Sequence, residues 1–210
     1  MMLTRLGYYN FAAIMVLFIL VACNRTPGNQ PAENGNLVST PSSEEHAKAT
    51  GPVEEEQMRQ AALEGNLEQV KDLVKRGINV NAPDQEGHTA LMFAAFNGHT
   101  AIVLELIEAG AIVDRRDLLG RTALLYGSTG PFPETVSALL DKGADPNIVD
   151  SNEHFTPLMH AAAEGNLDVV KILVDHGADL SMTDVDNDNA ESFARQAGHL
   201  QVAAYLREIR

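Results

Sequence analysis

One phrase recurs along this chain with a period of about 33 residues. Residues 84–99 read DQEGHTALMFAAFNGH, and related segments follow at 117–126 and 155–166. The threonine that they share stands at Thr89, Thr122 and Thr156. A period of this size is typical of stacked supersecondary units, because one such unit cannot bury its own apolar face. Stacked units present an extended surface, so the period favours a binding protein.

Charge and composition argue against several kinds of partner and binding site. The 210 residues carry a net charge of -14, whereas phosphate backbones are bound by clustered Lys and Arg. We therefore expect no nucleic-acid partner and no adhesion of the folded part to anionic lipid. The single cysteine, Cys23, excludes an internal disulfide and a cysteine-based zinc cluster. With 45% hydrophobic residues, 5% aromatics and no Trp, the composition suits close-packed small helices.

Residues 1–22 have the pattern of an export signal. Arg5 is the only charged residue before an apolar run from Phe11 to Ala22. A short positive region followed by a compact apolar region is typical of a secretory signal peptide. The uncharged stretch, Leu6 to Ala22, is shorter than the roughly 20 apolar residues that a spanning helix needs. The pattern therefore predicts export.

The end of this segment, LVAC at residues 20–23, resembles the lipobox of bacterial lipoproteins. The resemblance implies cleavage after Ala22, lipid attachment to the Cys23 thiol and acylation of the new amino terminus. Several acyl chains anchor a protein stably where one chain does not. The resemblance also implies that Asn24 directs the protein to the outer membrane, facing the periplasm, if the host is Gram-negative. An ordinary signal peptide with an incidental cysteine is the alternative.

Residues 23–53 are predicted to be a lipidated cysteine followed by a flexible linker. Pro, Gly, Asn, Ser, Thr and Glu are scattered through this stretch, and Leu37-Val38 is its only adjacent apolar pair. Such a composition does not bury enough apolar surface to offset the entropy lost on ordering. Random-coil scaling gives about 30 residues a reach of roughly 30 Å.

The units from residue 54 to 210 resemble ankyrin repeats. They share a turn with Asp and Gly, a Thr that caps a first helix, an Ala-Ala pair, a Gly-His or Gly-Asn turn, a second apolar helix and a closing Gly. The resemblance implies an all-α solenoid of about five helix-turn-helix units with short β-turn fingers, monomeric as a domain. The expected repeats are residues 54–83, 84–116, 117–149, 150–183 and 184–210, three of them internal and two of them polar caps.

The third unit departs from the pattern between its helices. Residues 127–134 read GSTGPFPE, where the neighbouring units have Gly-His or Gly-Asn. Two glycines and two prolines are expected to shorten the first helix and stiffen the turn. The segment is either a tolerated loop variant or, with Phe132, part of a recognition site.

Motifs that resemble catalytic or metal sites are incomplete. Asp184, Asp186 and Asp188 imitate the start of a calcium loop, but Asn189 and Arg195 stand where a glycine and a bidentate Glu are needed. No histidines show the spacing of a zinc site, and the GSTG run is neither a nucleophile elbow nor a phosphate loop. We therefore expect no enzyme, no metal and no cofactor.

The resemblance also predicts where a partner binds. Ankyrin domains usually recognise partners with their finger tips and the exposed side of their first helices, which form a concave surface. In this sequence, the residues predicted to bind a partner are His88, Phe96, Asn97, Leu118, Leu119, Arg121, His154 and Phe155, together with Phe132 of the third unit. The predicted centre is the apolar set Phe96, Leu118, Leu119 and Phe155. Alternatively, these side chains fold back onto adjacent fingers.

The sequence thus predicts an exported, lipid-anchored ankyrin-repeat protein of the cell envelope that binds another protein without catalysis. Two biological roles fit this prediction. One is a scaffold or accessory factor for an envelope enzyme. The alternative, suggested by resemblance to small ankyrin-repeat inhibitors, is an immunity protein that neutralises a secreted effector such as a phospholipase.

Overall fold

A computed structural model describes residues 51–210. The predicted signal peptide, Cys23 and all but the last residues of the predicted linker lie outside this range. The described residues form ten helices and no strand, and none of these helices is long and apolar enough to cross a membrane. In chain order the helices are α1 (Pro52–Glu64), α2 (Leu67–Lys75), α3 (Ala90–Phe96), α4 (Thr100–Glu108), α5 (Ala123–Gly127), α6 (Pro133–Asp141), α7 (Pro157–Ala163), α8 (Leu167–Asp175), α9 (Ala190–Gln196) and α10 (Leu200–Glu208).

The helices are arranged as five consecutive pairs. Within each pair the first and second helices pack on each other, from α1 with α2 to α9 with α10. First helices also pack on the first helices of adjacent pairs, and second helices pack on second helices. Each pair therefore completes the apolar core of its neighbours. This arrangement confirms the predicted all-α ankyrin-repeat solenoid.

The first helices begin where the recurring threonine caps them. The hydroxyl oxygens of Thr89, Thr122 and Thr156 accept the backbone N–H three residues later, at 3.4, 3.3 and 3.1 Å. Asn189 caps the last first helix in the same way, at 3.0 Å from the N–H of Ser192. Each cap satisfies a backbone donor that the helix itself leaves without a partner.

Small side chains set the spacing between the first helices. The pairs Ala94-Ala95 and Ala161-Ala162 have no exposed surface. An alanine side chain ends at Cβ, so neighbouring helix backbones approach closely at these positions. The leucines that follow the caps, Leu91, Leu124 and Leu158, are also completely buried and fill the layer between first and second helices. This core holds the fingers in register.

The third unit keeps the architecture with a shorter first helix, as its sequence predicts. Helix α5 has five residues where α3, α7 and α9 have seven. Phe132 precedes α6, and its ring lies so close to Gly98 and Gly130 that a Cβ at either glycine would come within 2.3 Å of the ring. His99 covers Gly65 in the same manner. Phe132 therefore takes the packing position of the histidine in the Gly-His turn.

Asparagine side chains connect the loops that follow the second helices. The amide of Asn81 donates to the Gly110 carbonyl at 2.9 Å, and its oxygen accepts the Ile112 N–H at 2.8 Å. Asn147 makes the equivalent pair of bonds one unit further on. Between them stands Asp114, whose carboxylate accepts the Asp145 N–H at 3.2 Å. Burial and the nearby Asp145 carboxylate raise the pKa of Asp114, so its charged form is disfavoured there.

We expect Asp114→Asn to raise the free energy of unfolding by about 0.5–1.5 kcal/mol, the net value of one hydrogen bond. An asparagine retains the acceptor, adds a donor for the Gly143 carbonyl and removes the repulsion from Asp145. Urea unfolding followed by circular dichroism measures the change. The reverse substitution, Asn81→Asp, serves as the matched control and should destabilise by a similar amount. A destabilised Asp114→Asn variant would contradict the equivalence of the two loops.

Candidate protein-binding face

Four fingers and four first helices form one surface, which we call the finger face. It comprises the fingers 84–88, 117–121, 150–155 and 184–188 and the helices α3, α5, α7 and α9. Each finger begins with an aspartate whose carboxylate accepts backbone N–H groups two to four residues later, as Asp84 does from Glu86 and His88. The N–H of that aspartate donates to the carbonyl of the last finger residue, at 2.9 Å for Asp84 and His88. The finger shape is thus fixed by its first residue.

Backbone hydrogen bonds join the four finger tips into one row. The N–H of Leu118 donates to the Glu86 carbonyl at 3.0 Å, and the N–H of Ser151 donates to the Leu119 carbonyl at 2.8 Å. The N–H of Val185 completes the row by donating to the Glu153 carbonyl at 3.1 Å. A partner therefore meets a continuous row of tips, because each finger is tied to the next.

The fourth finger is one residue longer than the others. This insertion accounts for the 34-residue step between Thr122 and Thr156. His154 there has a positive φ of 62°, a conformation that Gly87 and Gly120 adopt in the second and third fingers. The side chain of His154 is exposed, as its predicted contact with a partner requires.

The third finger exposes two leucines at the centre of the row. Leu118 is 74% exposed and Leu119 is 39% exposed, and Val185 on the last finger is also exposed. The row bonds place Leu118 next to Glu86 and Leu119 next to Ser151. Exposed apolar side chains of this size at one place indicate an interaction surface.

The two phenylalanines of the predicted apolar centre are half-buried against neighbouring rings. Phe96 meets Tyr126 edge-on, with ring centroids 6.2 Å apart. Phe155 meets His160 and Phe193 edge-on at 5.4 and 5.1 Å. These rings therefore form part of the wall of the surface, while the leucines project from it. That all four contact a partner stays a prediction.

His88 and Arg121, two of the predicted contact residues, lie beneath the surface. Arg121 is 8% exposed, and its guanidinium donates to the Asp117 carboxylate at 2.8 Å from both Nε and Nη2. His88 is 9% exposed and lies 2.9 Å from Asp84 through Nδ1. The resemblance predicted both as contact residues, but the half-buried Asp84 carboxylate holds His88 and the buried Asp117 carboxylate holds Arg121 beneath the surface.

Asp117 is the centre of a buried polar cluster. Its side chain is completely buried and also accepts the Tyr126 hydroxyl at 2.7 Å and the N–H groups of Leu119 and Arg121. The Arg121 guanidinium lies over the Tyr126 ring, 4.9 Å from its centroid. Burial and the hydrogen bond to Asp117 raise the pKa of Tyr126, so the phenol remains protonated. This cluster fixes the finger that carries the exposed leucines.

Aromatic side chains recur four residues after each cap, at Phe93, Tyr126, His160 and Phe193. None of the four is among the contact residues predicted from the sequence, although their regular spacing is a signal that the sequence contains. Burial lowers the pKa of His160 to about 4, so its imidazole is neutral at pH 7. Burial alone would raise the pKa of Asp84, but hydrogen bonds from His88 hold it below its ordinary value.

Asn97 and Asp184, two further polar residues near the finger face, bond to the backbone. Asn97 is half-buried and donates to the Phe93 carbonyl at 3.1 Å at the end of α3. Asp184 accepts the N–H groups of Asp186 and Asp188, so the run that resembles a calcium loop forms a finger turn. Asp84, Glu86 and His88 have ligand atoms within 4.8 Å of one another, but Asp84 is engaged by His88 on both oxygens.

Comparison with known proteins agrees with the geometry. The family model described as ankyrin repeats (3 copies) matches residues 58–150 and 129–209. Cyclin-dependent kinase inhibitor 2A of Monodelphis domestica is 32% identical over 154 residues, which cover 73% of this chain and 70% of that protein. Ankyrin repeat protein nuc-2 of Neurospora crassa is 36% identical over 74 residues, which cover 35% of this chain and 7% of that protein.

An ankyrin repeat protein of Acanthamoeba polyphaga mimivirus is 44% identical over 64 residues, which cover 30% of this chain. The chain spans 39% of that viral protein, and only a small part of nuc-2, so these relatives contain much that this chain does not match. These relatives share ankyrin repeats with this chain.

Proposed function

This chain belongs to the ankyrin-repeat family, and from that premise we propose that it is a lipid-anchored binding protein of the bacterial cell envelope. Lipid on Cys23 holds it at the membrane, the residues between Cys23 and helix α1 act as a tether, and the finger face binds another protein. The protein has no catalytic role in this proposal and acts by recruiting or blocking its partner.

Protein binding is the part of the proposal that the repeats themselves support. Ankyrin repeats are protein-binding modules, and ankyrin-repeat relatives are generally non-catalytic. The single observation that carries the choice of surface is the exposure of Leu118 and Leu119 at the centre of a rigid row of tips. Exposing aliphatic side chains to water is unfavourable, so a partner that covers Leu118 and Leu119 is the best explanation of their exposure.

The membrane anchor is supported by the sequence before residue 51. Arg5, the apolar run and the LVAC lipobox stand in the order that bacterial lipoproteins use. In a Gram-negative host, Asn24 after the lipidated cysteine supports sorting of the protein to the periplasmic side of the outer membrane. The tether then allows the finger face to reach partners at some distance from the anchor, with a reach of roughly 30 Å.

Replacing Cys23 with serine is expected to release the protein from membranes. Serine lacks the thiol that takes the lipid, so several acyl chains are lost, each contributing about 0.8 kcal/mol per buried methylene. The measurement is the distribution of the full chain between membrane and soluble fractions, together with labelling by a radioactive fatty acid. Wild type should be labelled and membrane-bound, and Cys23→Ser should be neither.

Ser42→Ala, in the same predicted linker, is the matched control and should behave as wild type. If Cys23→Ser stayed in the membrane fraction without the label, the apolar segment alone would hold the chain, and the lipid anchor would be wrong.

A scaffold and an immunity protein differ in what they bind. The scaffold role predicts capture of an envelope enzyme whose activity falls when this gene is deleted. The immunity role predicts capture of a toxic effector whose activity rises on deletion. One relative is named cyclin-dependent kinase inhibitor 2A, that is, for blocking an enzyme. This similarity supports the immunity role as the second candidate. Identification of a partner captured from envelope extract by the full chain distinguishes the two.

A further inference from the structure

The negative charge of this protein belongs entirely to the part that the structure describes. Residues 1–50 hold three acidic residues and three basic ones, so the net charge of -14 arises from residues 51–210. Charge of one sign on a folded domain produces a field that attracts or repels partners before contact. The distribution of these charges over the domain therefore bears on which partner it accepts.

Acidic residues lie on the fingers on either side of the exposed leucines. Glu86 is exposed on the second finger, and its carbonyl accepts the N–H of Leu118. Glu153 is half-buried on the fourth finger, and Asp186 is exposed on the last. Glu164 adds a fourth carboxylate at the end of α7. The apolar centre at Leu118 and Leu119 is thus bordered by acidic groups on both sides along the row.

Cations are scarce on the same surface. Within the finger face as defined, the only Lys or Arg residues are Arg121 and Arg195. Arg121 is buried against Asp117, and Arg195 lies 3.9 Å from the Glu191 carboxylate. Two arginines directly precede the third finger: Arg115 is half-buried, and the exposed Arg116 donates to the Val149 carbonyl at 3.4 Å. Most other described cations lie on or just after the second helices: Lys71, Lys75, Arg76, Lys142, Lys171, Arg207 and Arg210.

We propose that the finger face binds a cationic segment of a protein, one that is rich in Lys or Arg and carries a large apolar side chain that packs on Leu118 and Leu119. The proposal rests on the proposed function and names the chemistry of the partner. The apolar centre supplies a desolvated core, and the carboxylates on either side form a charged rim, the usual arrangement of a protein interface. Opposite charge on the partner accelerates association and excludes acidic competitors. Anionic lipid and nucleic acid are repelled by the same rim.

The test is a selection of 12-residue peptides from a random phage-displayed library on the immobilised full chain. The selected peptides are then synthesised and their Kd values measured at 50 and 300 mM NaCl. We expect net positive peptides that contain Leu, Ile, Met or an aromatic residue, and a Kd at least tenfold weaker at the higher salt concentration.

Two variants separate the contribution of the apolar centre to peptide binding from that of the charged rim. Leu118→Ser with Leu119→Ser removes the apolar centre and should weaken binding at least tenfold. Glu86→Gln, Glu153→Gln and Asp186→Asn together neutralise the rim without changing its shape, and should weaken binding at least tenfold and reduce the salt dependence. The matched control neutralises Glu108, Asp175 and Glu208, three exposed carboxylates of the second helices, and should bind as wild type does.

Three results would overturn the proposal of a cationic partner. They are enrichment of neutral or acidic peptides, no enrichment at all, and equal peptide binding by wild type and the rim variant. The proposed function is separable from this outcome. If the full chain still captured a protein from envelope extract, and that capture depended on Leu118 and Leu119 but not on the rim, protein binding would stand and only the cationic partner would fall.

Discussion

Replacing Asp117 with alanine is expected to lower the free energy of unfolding by about 3–5 kcal/mol, the usual cost of removing one partner from a buried ion pair. The Asp117 carboxylate is completely buried and holds the Arg121 guanidinium at 2.8 Å and the Tyr126 hydroxyl at 2.7 Å. Alanine removes the counter-charge of a buried cation and two further acceptor bonds to finger N–H groups. The loss should therefore exceed that of any exposed ion pair in this domain.

Urea unfolding followed by circular dichroism measures this difference. The chain provides a matched control, because Asp72 and Arg76 form an Asp–Arg pair with the same spacing on an exposed helix surface, 3.3 Å apart. Asp72→Ala should change the free energy of unfolding by about 1 kcal/mol or less. Equal losses in the two variants would show that burial of Asp117 carries no special cost, and would contradict the account of the cluster.

A double substitution separates charge from packing. Asp117→Leu together with Arg121→Met removes both members of the ion pair and leaves apolar side chains in their place. Replacing buried ion pairs by apolar groups is often neutral or stabilising, so this variant should be more stable than Asp117→Ala alone. If the two variants were equally stable, the lost bonds to the Tyr126 hydroxyl and the finger N–H groups, which both variants share, would carry the effect instead of Arg121.

The repeat fold of this protein could be predicted from its sequence because its helix caps and turns are determined by residues close together in the chain. Thr89, Thr122 and Thr156 cap helices through bonds to residues three positions later, and Gly87 and Gly120 adopt the positive φ that the turns require. Such short-range signals are contained in the sequence itself. Their agreement at a fixed period then identifies the stacked fold.

The candidate site was harder to predict because it depends on contacts between distant residues. Arg121 was predicted to contact a partner, but its ion pair with the buried Asp117 carboxylate and its contact with the ring of Tyr126 hold it beneath the surface. Phe132 is positioned by two glycines, one of them in the preceding unit. The row of finger tips forms through backbone atoms, which no side-chain pattern records.

Replacing Leu118 and Leu119 with serine is expected to weaken partner binding at least 30-fold, because central apolar residues of an interface typically cost 2 kcal/mol or more when truncated. Leu118 is 74% exposed and Leu119 is 39% exposed, so the free domain loses little packing at Leu118 and part of one side chain's packing at Leu119. The fold should therefore remain intact, and the loss should appear in binding alone. Leu200→Ser is the matched control, since Leu200 is 70% exposed but lies on a second helix, away from the finger face.

The most direct test of the account is quantitative capture of envelope proteins by the full chain, comparing wild type, the double serine variant and Leu200→Ser at equal loading. We expect a protein that wild type and Leu200→Ser retain equally and that the double variant loses by at least 30-fold, with cooperative urea unfolding in all three chains. Equal capture by the double serine variant, or the absence of any protein retained by wild type, would contradict the finger face as a protein-binding surface.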